Sequence, residues 1–250
     1  MTDLNEFRDK TVLVTGGSKG IGRSICIDFA KLGANVFFTY RKKDKSYHTL
    51  TSLKFYGEKN IIGIRNSSTK EKFIYKIMKK IKKKNKKINI LVNNIGDALK
   101  RSTFVKSNDK LWIDSFDINF LSAVRTTRAF LKTFKKNKNS SIINIGSIAG
   151  KSGGSKDSLH YGSSKAALHI FTKGLAKELK GVRVNCVAPS AIDTNFQKRL
   201  SSKKRLKKII ENTPLKRIGT SNEVAKLVIF LASNKASYIN GEVIFISGGR

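Results

Sequence analysis

The sequence predicts an α/β fold: one doubly wound parallel β-sheet with helices on both faces. Three observations predict it. Short apolar and β-branched runs alternate with helical stretches along the chain, with no internal repeat and no low-complexity linker. The first such run leads through a glycine-rich turn into an amphipathic stretch and a second run, which makes a βαβ unit. A length of 250 residues suits a single domain, taken as residues 1–250 with the dinucleotide-type turn in its N-terminal half.

Thr11–Val14 is the first strand candidate, apolar and β-branched. Ile21, Ile25, Phe29 and Leu32 then recur at helical spacing, and Gly33 follows as a helix C-cap. Further strand candidates are residues 36–39, 61–64, 88–92, 141–145, 183–188 and 242–246, with helices between them, including 163–179. Parallel strands joined this way require right-handed crossovers. The lysine-rich stretch at 79–87 reads as the end of a solvated helix, not as a linker. Ligands of such sheets bind beyond the carboxyl ends of the strands, near the switch in strand order. The glycine turn, "NNIG" at 93–96 and Ser147 each follow a strand, so they are expected to converge there.

Two motifs carry chemistry. Gly16, Gly20 and Gly22, with Ser18, Lys19 and Ile21 between them, sit in a turn between strand and helix. Missing side chains there let the backbone approach a pyrophosphate held at the helix N-terminus. The spacing is Gly-x-x-x-Gly-x-Gly rather than the commoner Gly-x-Gly-x-x-Gly. Tyr161 and Lys165, four residues apart, share one face of a helix. A phenol with an ordinary pKa of about 10 needs help to titrate near neutrality, and a lysine one turn away supplies a charge that favours phenolate. Taken alone, this pair arises easily in a chain so rich in lysine. The independent glycine turn is what makes it a candidate for passing a proton to or from a carbonyl oxygen.

Composition bounds the alternatives. No apolar run approaches the length needed to cross a bilayer, so no membrane association is expected. The opening residues lack a signal-peptide core, and Cys26 and Cys186 have neither metal nor redox spacing. A cytoplasmic protein with small buried thiols and no metal is therefore expected. The net charge of +34 invites a nucleic-acid reading through "KKIKKKNKK" at 79–87 and "KRLSSKKRLKK" at 198–208. Lysine, however, is spread over the whole chain and greatly outnumbers arginine. Charge alone licenses only non-specific, salt-sensitive association, so no specific nucleic-acid partner is expected. A basic nucleic-acid-binding protein that merely keeps the fold is the third-ranked reading.

The segments "TGGSKGIG" at 15–22, "LVNNIG" at 91–96, Asn119 in "WIDSFDINF", Ser147, "YGSSK" at 161–165, "RVNCVAPSAIDT" at 183–194, "TPLKRIG" at 213–219 and "INGEVIFISGG" together resemble the short-chain dehydrogenase/reductase family over nearly the full length. The resemblance is nearest to 3-oxoacyl-carrier-protein reductases. It implies a Rossmann-like sheet and hydride transfer between a nicotinamide and a ketone or secondary alcohol. Tyr161 is then the acid or base, Lys165 also holds the nicotinamide ribose, Ser147 hydrogen-bonds the substrate oxygen, and Asn119 links Lys165 to a proton relay. Asn93 and Gly96 would form the floor under the cofactor, Asn66 would accept from the adenine, and Pro189, Ile192 and Thr194 would lie along the nicotinamide. The family also implies a homotetramer, pairing helices near 112–134 and 163–179.

Charge argues for the cofactor. A carboxylate at the end of the second strand would favour NAD and repel the extra phosphate of NADP. This chain instead has Tyr40 and Arg41, with Lys19 in the glycine turn, so NADPH/NADP is expected over NADH. The substrate is a small carbonyl compound. A 3-oxoacyl thioester, carrier-linked through the basic 198–208 cluster in a loop over the pocket, stands first. A polar carbohydrate-like metabolite stands second, because "AGKSGGSKDSLHY" brings Lys151, Lys156, Asp157 and His160 towards Tyr161, and Asp97 follows "NNIG". Ser190 stands where the family commonly has glycine.

Overall fold

The computed structural model describes residues 6–41, 61–66, 69–84, 87–134 and 140–250. Among these, β1 (Thr11–Val14), β2 (Asn35–Tyr40), β3 (Ile61–Arg65), β4 (Ile88–Asn93), β5 (Ser140–Ile145), β6 (Val182–Pro189) and β7 (Val243–Ile246) form one sheet. Its order is β3-β2-β1-β4-β5-β6-β7, and every neighbouring pair is parallel. The chain thus winds outward from β1 to β3, then crosses back to build from β4 to β7. The switch in strand order lies between β1 and β4, the two strands that lead into the glycine turn and "NNIG".

Strand alternation assigns the two cores. Val12, Val14, Val36, Phe38, Ile90 and Val92 join one apolar cluster with Ile25, Phe29, Val224 and Val228. Those helical residues belong to α1 (Gly20–Lys31) and α9 (Ser221–Ala232). Leu13, Phe37, Leu91 and Ile142 point to the other face, against α2 (Glu71–Lys82), α4 (Ser122–Thr133) and α6 (Leu159–Glu178). In α2, Ile74, Ile77, Met78 and Ile81 fall at i, i+3, i+4 and i+7 and are all buried, while its lysines face outward. The 79–87 lysine run therefore begins as the last turn of a solvated helix, where cations also suit the helix dipole; residues 85 and 86 lie outside the described residues.

Three differences from the sequence expectation matter to the site. First, α6 begins at Leu159 rather than 163, because His160 is anchored by Ala98 O at 3.2 Å and by the edge of Trp112. Tyr161 and Lys165 therefore both lie inside the helix. Second, the helical stretch expected at 112–134 is interrupted. After α3 (Asp109–Phe116), residues Asp117–Leu121 form a π-turn before α4, and this wider turn carries Asn119 into the interior. Third, the basic 198–208 cluster is helical rather than a loop. It spans α7 (Asn195–Leu200) and α8 (Lys203–Glu211), whose caps are Thr194 and Ser202. A short α5 (Ala149–Ser152) lies between Ser147 and α6.

Cys26 and Cys186 are both buried as expected, and burial pushes their thiols up. Ser190 fits where the family commonly has glycine, because its backbone does not need the left-handed region; among the described residues the non-glycines there are Asp9, Leu99 and Lys216.

Candidate active site

The turn after β1 is held from two sides. Thr15 Oγ1 accepts from Asn94 N at 2.9 Å, while Asn94 Nδ2 donates to the carbonyls of Thr15 and Gly16 at 3.0 Å each. Gly16 N donates to Thr39 Oγ1 at 3.0 Å, tying the turn to β2. Two glycines are required by geometry. Gly16 has a φ of 66°, and a Cβ on Gly22 would lie 2.5 Å from both Asn94 Nδ2 and Gly16 O. Helix α1 then starts with no acidic residue in its first turn and no side-chain cap from Lys19. Its amino end presents backbone N–H groups and the positive end of the helix dipole to the turn, the donor set that a pyrophosphate takes.

A cleft of 1420 Å³ runs across the carboxyl ends of the strands from this turn. Ser18, Lys19, Gly20, Ile21 and Gly22 line it at the turn, and Arg41 and Asn66 line it at the ends of β2 and β3. Gly96 faces it from beyond β4, Pro189 from the end of β6, and Ile192 and Thr194 from beyond β6. Thr194 reaches close to the glycine turn, since a Cβ on Gly20 would lie 3.4 Å from Thr194 Cγ2. Asn93 does not reach the cleft surface. As the last residue of β4 it points into the layer beneath, where Nδ2 donates to Thr127 Oγ1 at 3.0 Å and Asn144 Oδ1 at 2.9 Å. Asn94, one residue on, faces the opposite way and holds the turn. Period-two alternation was the signal that could have distinguished them.

Ser147, Tyr161 and Lys165 meet at the centre of the cleft. β5 delivers Ser147, and one turn of α6 separates Tyr161 from Lys165. Lys165 is only 3% exposed; its Nζ donates to Ile145 O at 2.8 Å and lies 5.9 Å from the centroid of the Tyr161 ring. Burial of this ammonium lowers its pKa to about 8. The phenol shifts the other way. Burial is the largest cause and Ser147 opposes it through a hydrogen bond, while Asp97 adds like-charge repulsion of phenolate; together they leave Tyr161 raised to about 12. Helical spacing alone predicts that Lys165 lowers the phenol. In the folded protein desolvation dominates instead, and Ser147 is the group that opposes it.

Asn119 also differs from expectation. Its Nδ2 donates to Asp97 O at 2.8 Å and Ser115 O at 2.9 Å, and its Oδ1 accepts from Asp97 N at 2.9 Å. The side chain is thus occupied by the Asp97 backbone and by α3, and it is not bonded to Lys165. A Cβ on Gly96 would lie 3.0 Å from both Asn119 Oδ1 and Lys165 Nζ, so the glycine leaves room for the two to approach.

Beyond Tyr161 the cleft is closed by polar contacts that sequence reasoning missed. Arg199 on α7 pairs with Asp97. Arg101 Nη1 pairs with Asp157 at 2.7 Å, and its Nε donates to Leu200 O at 2.7 Å. Phe196 lies 6.3 Å from the Tyr161 ring, centroid to centroid. These partners stand 102 and 56 residues apart in sequence, which no local pattern reveals.

The family model described as enoyl-(acyl-carrier-protein) reductase matches residues 16–250. The chain is 34% identical over 245 residues to a 3-oxoacyl-[acyl-carrier-protein] reductase of Escherichia coli, covering 97% of this chain and 98% of that protein. It is 36% identical over 249 residues to the reductase of the same name from Buchnera aphidicola, covering 98% of each. The chain belongs to the short-chain dehydrogenase/reductase family. A solved short-chain dehydrogenase/reductase from Brucella melitensis, named glucose/ribitol dehydrogenase, superposes with a TM-score of 0.89 at 29% identity, covering 98% of this chain and 97% of that one.

As a short-chain dehydrogenase/reductase, the protein is an NAD(P)-dependent oxidoreductase of a carbonyl or alcohol substrate. Its residues fit that cofactor: the close-packed glycine turn that lines the cleft and the start of α1, which has no side-chain cap, suit the pyrophosphate. Among the described residues no helix is long and apolar enough to cross a membrane, and no cluster of His, Cys, Asp and Glu could hold a metal ion.

Proposed function

We propose that the protein is an NADPH-dependent reductase that turns the ketone of a 3-oxoacyl thioester into a secondary alcohol. The observation that carries the chemistry is the meeting of Ser147, Tyr161 and the buried ammonium of Lys165 at the centre of one cleft. When bound, the cofactor supplies the hydride. Tyr161 supplies the proton: a phenol held up near 12 stays protonated at neutral pH, so it stands ready to donate to a developing alkoxide. Ser147, in the same part of the cleft, orients the ketone oxygen toward it. Lys165 places its charge near that oxygen and holds the nicotinamide ribose, while Asn119 fixes the Asp97 backbone that borders Gly96. Gly16, Ser18, Gly20, Ile21 and Gly22 take the pyrophosphate. Asn66, Pro189, Ile192 and Thr194 line the adenine and nicotinamide ends.

Arg41, at the end of β2 where no carboxylate stands, supports NADPH, because a guanidinium there gives charge-assisted bonds to the extra phosphate. The names of the Escherichia and Buchnera relatives support the thioester. A homotetramer is supported by apolar side chains left exposed on the expected faces, Ile113 at 67% on α3 and Ile170 at 68% on α6. A carrier protein would meet the exposed cations of α7 and α8. The buried thiols suit a reducing cytoplasm.

A second reading, a carbohydrate-like substrate, is favoured by the polar walls beyond Tyr161, where Asp97, Arg101 and Arg199 stand. Cofactor oxidation measured with an acetoacetyl thioester and with a panel of keto-sugars separates the two. The first reading expects turnover of the thioester, faster with NADPH than NADH. Turnover of keto-sugars alone overturns it.

A further inference from the structure

Lysine greatly outnumbers arginine along the chain, yet at the rim of the cleft beyond Tyr161 two arginines pair with one carboxylate and a third stands beside them. Asp157 Oδ1 accepts from Arg101 at 2.7 Å and from Ser155 Oγ at 2.7 Å; its Oδ2 faces Arg205 Nη1 at 3.6 Å, an ion pair longer than a hydrogen bond. That is the one ion pair of Arg205 among the described residues. Arg250 donates to Ser190 Oγ at 3.3 Å and stands near enough to Arg205 to repel it. Arg101 and Arg250 both work against the charge of Arg205, as does its partial burial; Asp157 alone opposes them. Side-chain exposures of 29% for Arg101 and 35% for Arg205 place the group at the mouth, reached by solvent but screened on one side.

Like charges held together at a rim are costly unless an anion joins them. A guanidinium differs from an ammonium in offering a planar fork of donors that matches the oxygens of a phosphate. We propose that Arg101, Arg205 and Arg250 form a subsite for a phosphate group carried by the substrate at the end away from its ketone. This rests on the reading that the arm of the cleft beyond Tyr161 takes a ketone, and it adds a selectivity that the thioester and sugar readings do not contain. The phosphate could belong to a pantetheine arm or to a sugar phosphate, and the chemistry at the rim is the same for both.

Two matched substrate pairs distinguish the sources: acetoacetyl-pantetheine with and without its 4′-phosphate, and fructose with and without its 6-phosphate, all at one ionic strength. The quantity read is the ratio of KM without phosphate to KM with it. The ratio is expected to be roughly tenfold in whichever pair is turned over, the value of one charge-assisted hydrogen bond. It falls towards one in Arg205→Gln and in Arg250→Gln. It persists in Lys204→Gln, an exposed cation of the same helix, because bulk charge is not the cause. In Asp157→Asn it rises, since a competing carboxylate is removed. A ratio near one in the wild type, or equal loss in Lys204→Gln, overturns the proposal. Calorimetry of 4′-phosphopantetheine against pantetheine reads the same subsite without turnover. If no ketone is reduced but the phosphate still tightens binding about tenfold, the reductase reading fails and the subsite stands; equal binding removes the subsite whatever the turnover.

Discussion

Replacing Lys165 by Met removes a buried ammonium whose burial opposes folding. In the unfolded chain a lysine titrates near 10.5, and in the folded protein Lys165 titrates at about 8. Between these two values the unfolded chain binds more protons, so this group makes stability rise with pH across that window. Below pH 8 both states carry the charge and its full burial penalty is felt, about 3 kcal/mol. The variant escapes the penalty but strips Ile145 O of its lysine donor, at a cost of about 1–2 kcal/mol. Lys165→Met is therefore expected to be more stable than wild type at pH 7 by about 1–2 kcal/mol, a rise in Tm of about 3–6 °C for a chain of this length. The same variant should lose turnover. Near pH 10.5 the wild-type penalty has gone, only the lost hydrogen bond remains, and the order of stability reverses. Denaturant titrations of both proteins at pH 7 and above 10 test this. A stability difference that does not change between those pH values refutes the argument that a desolvated charge sits in the site.

Gly22→Ala places a Cβ 2.5 Å from Asn94 Nδ2 and Gly16 O, inside the bonds that hold the turn. It should lower stability by about 1–3 kcal/mol and weaken cofactor binding, read by thermal melts with and without NADPH; a variant that melts and binds like wild type would show that the turn tolerates a side chain. Arg41→Asp puts a carboxylate at the end of β2. It should raise KM for NADPH about tenfold or more while NADH is less affected, read from initial rates with each cofactor; an unchanged NADPH:NADH ratio would remove Arg41 from the phosphate site.

The parts of the fold that follow from local periodicity were legible in the chain. Every expected strand is present in the parallel sheet with its ends shifted by at most one residue, because alternating β-branched residues must face one of two cores. The convergence of the glycine turn, Gly96 and Ser147 followed from topology alone. Harder to read was anything decided by burial. Whether Tyr161 is raised or lowered depends on how much water reaches it, and that is a property of packing, not of a four-residue spacing. The π-turn that turns Asn119 to the Asp97 backbone, and the pairings of Arg199 with Asp97 and Arg101 with Asp157, join segments far apart in sequence. Asn93 and Asn94 show the limit at single-residue scale: the motif names both, but only the pleat decides which faces the cleft.

If the Tyr161 hydroxyl delivers the proton while the rest of the cleft holds the cofactor, catalysis can be lost without loss of cofactor binding. Tyr161→Phe removes that hydroxyl and keeps the ring against Phe196. Single-turnover oxidation of NADPH with a ketone substrate, measured beside NADPH affinity by fluorescence titration, separates chemistry from binding. Turnover is expected to fall about 10²–10⁴-fold with NADPH affinity nearly unchanged. Turnover near the wild-type rate would contradict it.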